Sequence, residues 1–365
     1  MKILFKLSPN KFNQGVYQHN IICLAEGFRK MGLEFYGNID YWYEEKVEAP
    51  LIKVQLDNFE PDIIIYSSHF IRDNFTLEIK TLSNFFSVLI DSEDGFVTVS
   101  DLYAKHFNLV LRSHFNSTRE YASNVYPWSF GLSERMIKAV EMNQCRCIKD
   151  RIFINYRVFY NGRHLARKFL DPILKVRFVL FNEITDPYSS EVLKIRDMKN
   201  IQNSYWWQTG CRHDNRYYSL LNESRFTYSF GGPLVLKLPF LITSSYLLKF
   251  NRRMTQLLLD YGLLRSSFVI NYQFDSWRFW EAMLSNSIPL HFDFESWNFV
   301  LPVMPINGTH YYGVHNLDFK GCGDKILSIS SSDLNQISVD GAKWALEHYS
   351  PLAVSTRLIR MINVS

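Results

Sequence analysis

The chain of 365 residues has no uninterrupted apolar run of the roughly 18 residues that a membrane-spanning helix needs. Its opening, MKILFKLSPNKF, lacks the apolar core of a secretory signal, so a cytoplasmic protein is expected. Cysteine is scarce: five are scattered at Cys23, Cys145, Cys147, Cys211 and Cys322. Cys145 and Cys147 are too close for a zinc knuckle and no second pair lies near them, so reduced thiols and no metal site are expected. The Asn-x-Ser/Thr triplets at Asn74, Asn116, Asn222, Asn307 and Asn363 then never meet the glycosylation machinery. Excess charge is missing too. Forty Lys and Arg against 36 Asp and Glu leave +4 with His neutral, too little to demand a polyanion such as nucleic acid. No internal repeat or low-complexity tract is found, and neither half carries a clean GxGxxG, which argues against a dinucleotide oxidoreductase.

What the chain does have is core-forming material. Hydrophobic residues make up 47% and charged residues 21%, the balance of a soluble globular protein. The length exceeds one ordinary core and suits two domains. Aromatics reach 16%, with 29 Phe, 21 Tyr and 8 Trp; an aromatic-rich core is the simpler use of them, stacking surfaces for bases or sugars the other.

Strand and helix signals alternate. Lys2–Leu7, Glu34–Gly37, Pro61–Tyr66, Ser87–Ile90 and Asn108–Arg112 read as short strands, and Val16–Met31 as a helix burying Ile21, Leu24, Ala25 and Phe28 before Gly32 ends it. Apolar strands separated by helices imply a parallel sheet covered on both faces, with ligands at the strands' carboxyl ends. Three loops follow such ends: Ser8–Gln18, Ser67–Phe70 and Asp91–Gly95. After a polar stretch near 131–149, a second series starts: strand Arg151–Tyr156, helix Arg163–Leu174, strand Val176–Phe181, helix Tyr217–Glu223 and strand Ser224–Ser229. The expected fold class is therefore α/β, with a Rossmann-like domain over 1–140, a second over 150–340, and a helical segment over 341–365 that Pro351 interrupts.

Residues 271–294, NYQFDSWRFWEAMLSNSIPLHFDF, hold the most informative helix. Asp275 or Ser276 is placed to cap it. Trp277, Trp280 and Leu284 recur at helical spacing, Asn286 stops it, and Ile288–Phe292 is a strand opened by its proline. Arg278 and Glu281 share one face. An arginine on the first turn of a helix suits phosphate, and a carboxylate one turn on suits sugar hydroxyls. A plain helix-surface ion pair fits the same spacing.

With Ser287-Ile-Pro-Leu290, Asp324–Ser330 and Trp344–Pro351 downstream, and Leu220–Gly231 upstream, this stretch resembles the C-terminal domain of exostosin-like GT-B glycosyltransferases over about 150–360. The first half is similar only in general architecture. Two departures are a span of about forty residues, near 232–264, between the Phe-Gly element and the Arg/Glu helix, and Asn286 where glycine is common. The resemblance implies two Rossmann-like domains facing each other across a cleft, the C-terminal helix crossing back, and Asp324–Ser330 as a short strand. It also implies Arg278 on the donor phosphates, Glu281 on the ribose, Ser276 and the helix start as further phosphate donors, and no metal-binding acid motif.

Other residues are candidates by position. Arg157 and Arg163, near the end of the second half's first strand, are placed to neutralise a departing diphosphate, or else are surface arginines. In Tyr205–Asp214, Trp206 or Trp207 can stack on a base and Arg212 or His213 can reach phosphate, or the loop can anchor domain packing. Asp91, Glu93 and Asp94 crowd one carboxyl end; Glu93 or Asp94 is the expected base for an acceptor hydroxyl, with His114 as rival and His69 behind it. Lys11, Asn13 and Gln14 sit in the first loop. The expected activity is transfer of a hexosyl or pentosyl group from a UDP- or GDP-sugar, as for polysaccharide biosynthesis, to a glycan or lipid-linked acceptor. Inversion is expected, with the donor as substrate, no cofactor, and room for peripheral membrane association. The alternatives are a retaining transferase or epimerase on the same fold, a non-catalytic sugar- or nucleotide-sugar-binding protein and, more remotely, a nucleic-acid binder.

Overall fold

The computed structural model describes residues 1–9, 17–55, 57–95, 97–142, 150–156, 160–183, 203–211, 213–237 and 245–364. In the first half, strands β1 (Lys2–Lys6) and β2 (Glu34–Gly37) precede a small antiparallel pair, β3 (Tyr41–Glu44) with β4 (Ala49–Ile52). Strands β5 (Ile63–Ser67), β6 (Phe86–Asp91), β7 (Leu109–Arg112) and β8 (Val125–Pro127) follow. The main sheet runs β2-β1-β5-β6-β7-β8 with every pair parallel. Strand β5, IIIYS, is buried at all five positions because helices cover both faces of the sheet.

The second half repeats the architecture. Strands β9 (Arg151–Ile154), β10 (Val179–Asn182), β11 (Phe226–Tyr228), β14 (Ile288–Phe292) and β15 (Tyr312–Val314) pair in parallel in the order β10-β9-β11-β14-β15. Between β11 and β14 the chain adds the antiparallel pair β12 (Leu234–Leu236) and β13 (Val269–Asn271), joined through the helix Ser245–Asp260. The sheets are thus two parallel, helix-covered Rossmann-like units.

The C-terminal helix crosses back. Tyr349 ends the helix Ser331–Tyr349, and Pro351 opens the next, Pro351–Val364, where its fixed φ and missing N–H are tolerated. That helix packs on His19–Lys30 of the first half, with Ser355 Oγ donating to Leu24 O at 3.0 Å. Gly27 permits the approach: a Cβ there would lie 2.1 Å from Pro351 O. On the same first helix, Ile21, Leu24, Ala25 and Phe28 are buried, as their spacing predicts.

Two local expectations are corrected. The 324–330 stretch is not a strand; most of it completes the helix Phe319–Ser328. Asp318 caps that helix by accepting from Gly321 N, so Cys322 and Ile326 fall one turn apart on the buried face. Ser276 is the N-cap residue of the helix Trp277–Leu284, yet neither its hydroxyl nor Asp275 caps it. Asn286 does stop the helix, in the left-handed region at φ 51°.

Candidate functional site

The carboxyl-end loops of the two sheets meet, and the segment 273–278 lies against both halves. Asp275 Oδ2 accepts from Phe130 N at 2.7 Å, its Oδ1 accepts from Trp280 Nε1 at 2.7 Å, and its own N–H donates to His114 Nδ1 at 3.0 Å. Burial pushes the Asp275 carboxyl up to about 6 against the pull of His114 and these donors. The loop after β11 lies flat on this segment. Gly232 N donates to Gln273 O at 2.6 Å, and a Cβ on Gly231 would sit 2.2 Å from that same oxygen.

Two arginines converge beside that loop. Arg163, on the first turn of the helix Asn161–Leu174, donates from Nε to Phe230 O at 3.0 Å. Its guanidinium lies 5.0 Å from the Tyr156 ring centroid, and that of Arg278 lies 5.9 Å from the same ring. Burial, then the like charge of Arg278, lower the Arg163 pKa to about 10. At this helix start and at Tyr156, buried polar atoms have no hydrogen-bond partner among the described residues: Arg278 Nε, Ser276 Oγ, Trp277 Nε1 and Tyr156 Oη. Buried polar groups ordinarily find partners, and a helix start offers N–H groups and a positive field. Paired cations, idle donors and a helix N-terminus form a cradle suited to a polyvalent anion.

One turn deeper, Glu281 is enclosed by protein groups. Its Oε2 accepts from Tyr217 Oη and its Oε1 from Tyr218 Oη, both at 2.8 Å. His213 Nδ1 lies 2.8 Å and Arg135 Nη2 3.8 Å from Oε1. Burial works to raise this carboxyl, but His213, then Arg135 and Tyr218, outweigh it and hold it at about 2. Arg135 comes from the first half, so the cluster joins the two halves. Glu281 was expected to receive ribose hydroxyls; it is fully buried, with Tyr218, His213 and Arg135 on Oε1 and Tyr217 on Oε2.

The acidic loop after β6 splits three ways. Asp91 is fully buried against Arg112, 2.9 Å away, and takes Ser100 N at 3.0 Å. Glu93, an expected base, turns inward instead, paired with Arg72 and accepting from Val99 N at 3.3 Å; its pKa is raised by burial. Asp94 alone faces out, with its side chain 57% exposed, and it lies within electrostatic reach of Arg163. His114 Nδ1 receives the Asp275 N–H, which leaves its proton on Nε2, 3.0 Å from Asp94 Oδ1. Both ring nitrogens are occupied, so His114 orients Asp94 rather than serving as a free base. His69 stands near the same acids, its pKa lowered by burial and Arg72. Among the described residues no group of three or more His, Cys, Asp or Glu is arranged to hold a metal ion.

Arg157, Arg212, Lys11, Asn13 and Gln14 lie outside the described residues. The 205–208 turn packs between the halves: Gln208 exchanges hydrogen bonds with Tyr43 at 2.8 Å, and Tyr205 stacks on Trp42 at 5.2 Å. His213 reaches Glu281. Sequence reasoning missed Arg135, Tyr217, Tyr218 and Tyr156, each of which reads locally as an ordinary helix or strand-end residue.

No protein-family profile and no curated protein matches the chain. Solved structures do. An alpha-glucosyltransferase in complex with UDP and a 13-mer DNA aligns over all of both chains at TM-score 0.57 and 11% identity. Anabaena Alr3699/HepE in complex with UDP-glucose aligns over all of both chains at 0.51 and 10%. The fold is GT-B. AviGT4, a glycosyltransferase involved in Avilamycin A biosynthesis, aligns over 99% of this chain and 96% of its own at 0.50 and 10%. At these identities the likeness is one of fold. In the GT-B frame the cradle and the outward Asp94 stand where the two halves meet.

Proposed function

We propose that the chain is a glycosyltransferase that moves a sugar from a nucleoside-diphosphate donor, UDP- or GDP-linked, to a glycan or lipid-linked acceptor with inversion. One observation carries this reading: Arg163 and Arg278 are held together on one tyrosine ring beside a helix start whose buried donors have no partner among the described residues. Like charges are brought together at a cost, and a diphosphate offsets it with charge-assisted hydrogen bonds. The UDP in the fold's solved neighbours supports the same ligand class.

In this reading Arg278, Ser276 and the helix N–H groups hold the diphosphate, and Arg163 meets the charge that develops on it. Asp94, oriented by His114, takes the acceptor hydroxyl's proton. The freed oxygen attacks the anomeric carbon as the bond to the diphosphate oxygen breaks, and the electron pair leaves with the diphosphate. The test is a thermal-shift panel of UDP, GDP, ADP and the matching monophosphates, followed by donor turnover. A ligand that binds only the folded state raises its melting temperature. The expected result is stabilisation by one diphosphate above the others and above its monophosphate. No response to any of them sinks the proposal, and binding without turnover favours a non-catalytic nucleotide-sugar-binding protein.

A further inference from the structure

The helix Ser245–Asp260, between β12 and β13, turns several large apolar side chains outward. Its packed side is mixed: Asn251, Thr255 and Leu259 are buried, and Leu236 N donates to Asn251 Oδ1 at 2.8 Å and to Thr255 Oγ1 at 3.0 Å. Its outward side is apolar. Phe250 is 57% exposed, Met254 39% and Leu257 52%, at i, i+4 and i+7. After the helix, Tyr261 is 74% exposed, Leu263 71% and Phe268 60%. Apolar residues normally line the packed face of a surface helix, and contiguous exposed apolar patches mark interaction sites. No described helix is long and apolar enough to cross a membrane.

The charges around the patch are one-sided. Within 245–268 the basic residues are Lys249, Arg252, Arg253 and Arg265, and Asp260 is the lone acid. Lys168 Nζ lies 3.0 Å from Asp260, answering that negative charge. Lys249 and Arg253 are exposed on the row beside Phe250 and Leu257. An apolar stripe edged by cations matches the boundary of a bilayer, with aromatic and aliphatic side chains at acyl depth and cations among acidic headgroups. The element also stands by the cradle: Arg252 lies 5.2 Å from the Tyr160 ring, one residue before the helix that carries Arg163.

We propose that the outward face of 250–268 docks on a membrane surface rich in acidic lipid and holds the cleft beside it. The docking face stands on exposure and charge alone, so it can fail or hold independently of sugar transfer. The test is flotation of the full chain with vesicles of phosphatidylcholine, with and without phosphatidylglycerol. The expected result is binding to acidic vesicles only, weakening as salt rises. Binding should be lost in the Phe250→Ser/Leu257→Ser pair and fall about thirtyfold in the Lys249→Gln/Arg253→Gln pair. Melting temperatures of both variants, all at exposed positions, serve as the fold control. Three results overturn the proposal: no flotation of the wild-type chain, flotation unchanged in the serine pair, or a concentration-dependent dimer that the serine pair abolishes, which would give the face to a second copy.

Discussion

Arg278 and Glu281 sit three residues apart on one helix, and the structure treats them oppositely. Glu281 meets two tyrosines, a histidine and an arginine and is wholly buried. Arg278 keeps a buried Nε with no partner among the described residues and stands near a second cation. In the deeper layer Arg135 meets Glu281 and Tyr218, although its Nε is also unpartnered among the described residues; in the upper layer no described residue pairs the charge of Arg278. A polar group that is satisfied in the free protein contributes to the fold, whereas one left idle is available for binding. Spacing along the helix gave the two residues equal claims on a ligand, and the surroundings separate them.

The largest effect is expected at the upper layer. Asp94→Asn removes the proposed base from an exposed position, so the fold survives while turnover falls roughly 100- to 10,000-fold, with the nucleotide still bound. Steady-state kinetics beside a binding titration check this. Turnover within a few-fold of wild type would remove Asp94 from the chemistry.

The deeper layer should fail differently. Glu281→Ala leaves Arg135 buried without its countercharge, and breaking such a pair costs about 3–5 kcal/mol. Denaturant unfolding of the unliganded protein measures it. A variant as stable as wild type but unable to bind nucleotide would invert the comparison and return Glu281 to the ribose. Acid sharpens the point. Because the folded pKa of about 2 lies below the ordinary 4.5, the stability Glu281 contributes is complete above pH 4.5 and is lost as pH falls through about 2. That limb is worth about 3 kcal/mol and should be absent from the pH-stability curve of Glu281→Gln.

How much of this was legible in the sequence depends on range. Period and punctuation located most strands, the His19–Lys30 and Trp277–Leu284 helices, the stop at Asn286 and the break at Pro351. They located the helix bearing the site as well. They failed where identity and surroundings disagree. Asp324–Ser330 is apolar enough for a strand but is claimed by a helix capped seven residues upstream of Lys325. Glu93 and Asp94 are neighbours in sequence and point to different layers, because Arg72 draws one inward and His114 holds the other at the cleft. Ser245–Asp260 buries Asn251 and Thr255 beside Leu259 while turning Phe250, Met254 and Leu257 outward. The partners of Glu281 lie more than sixty residues away along the chain, and nothing local announces them.

The smallest change in stability, and the most selective, belongs to Arg278→Met. The substitution keeps the stem over Tyr156 and deletes a charge that no described residue pairs. Removing it also relieves the field that helps lower Arg163. Unfolding free energy without ligand should therefore stay within about 0.5 kcal/mol of wild type, or rise. Affinity for the nucleoside diphosphate should drop by about 10- to 100-fold, the loss of one charge-assisted hydrogen bond. Calorimetric titration and denaturant unfolding of the same preparation separate the two readouts. A large loss of stability with affinity retained would mean that the arginine serves the fold after all, and the contrast between the two turns of this helix would be gone.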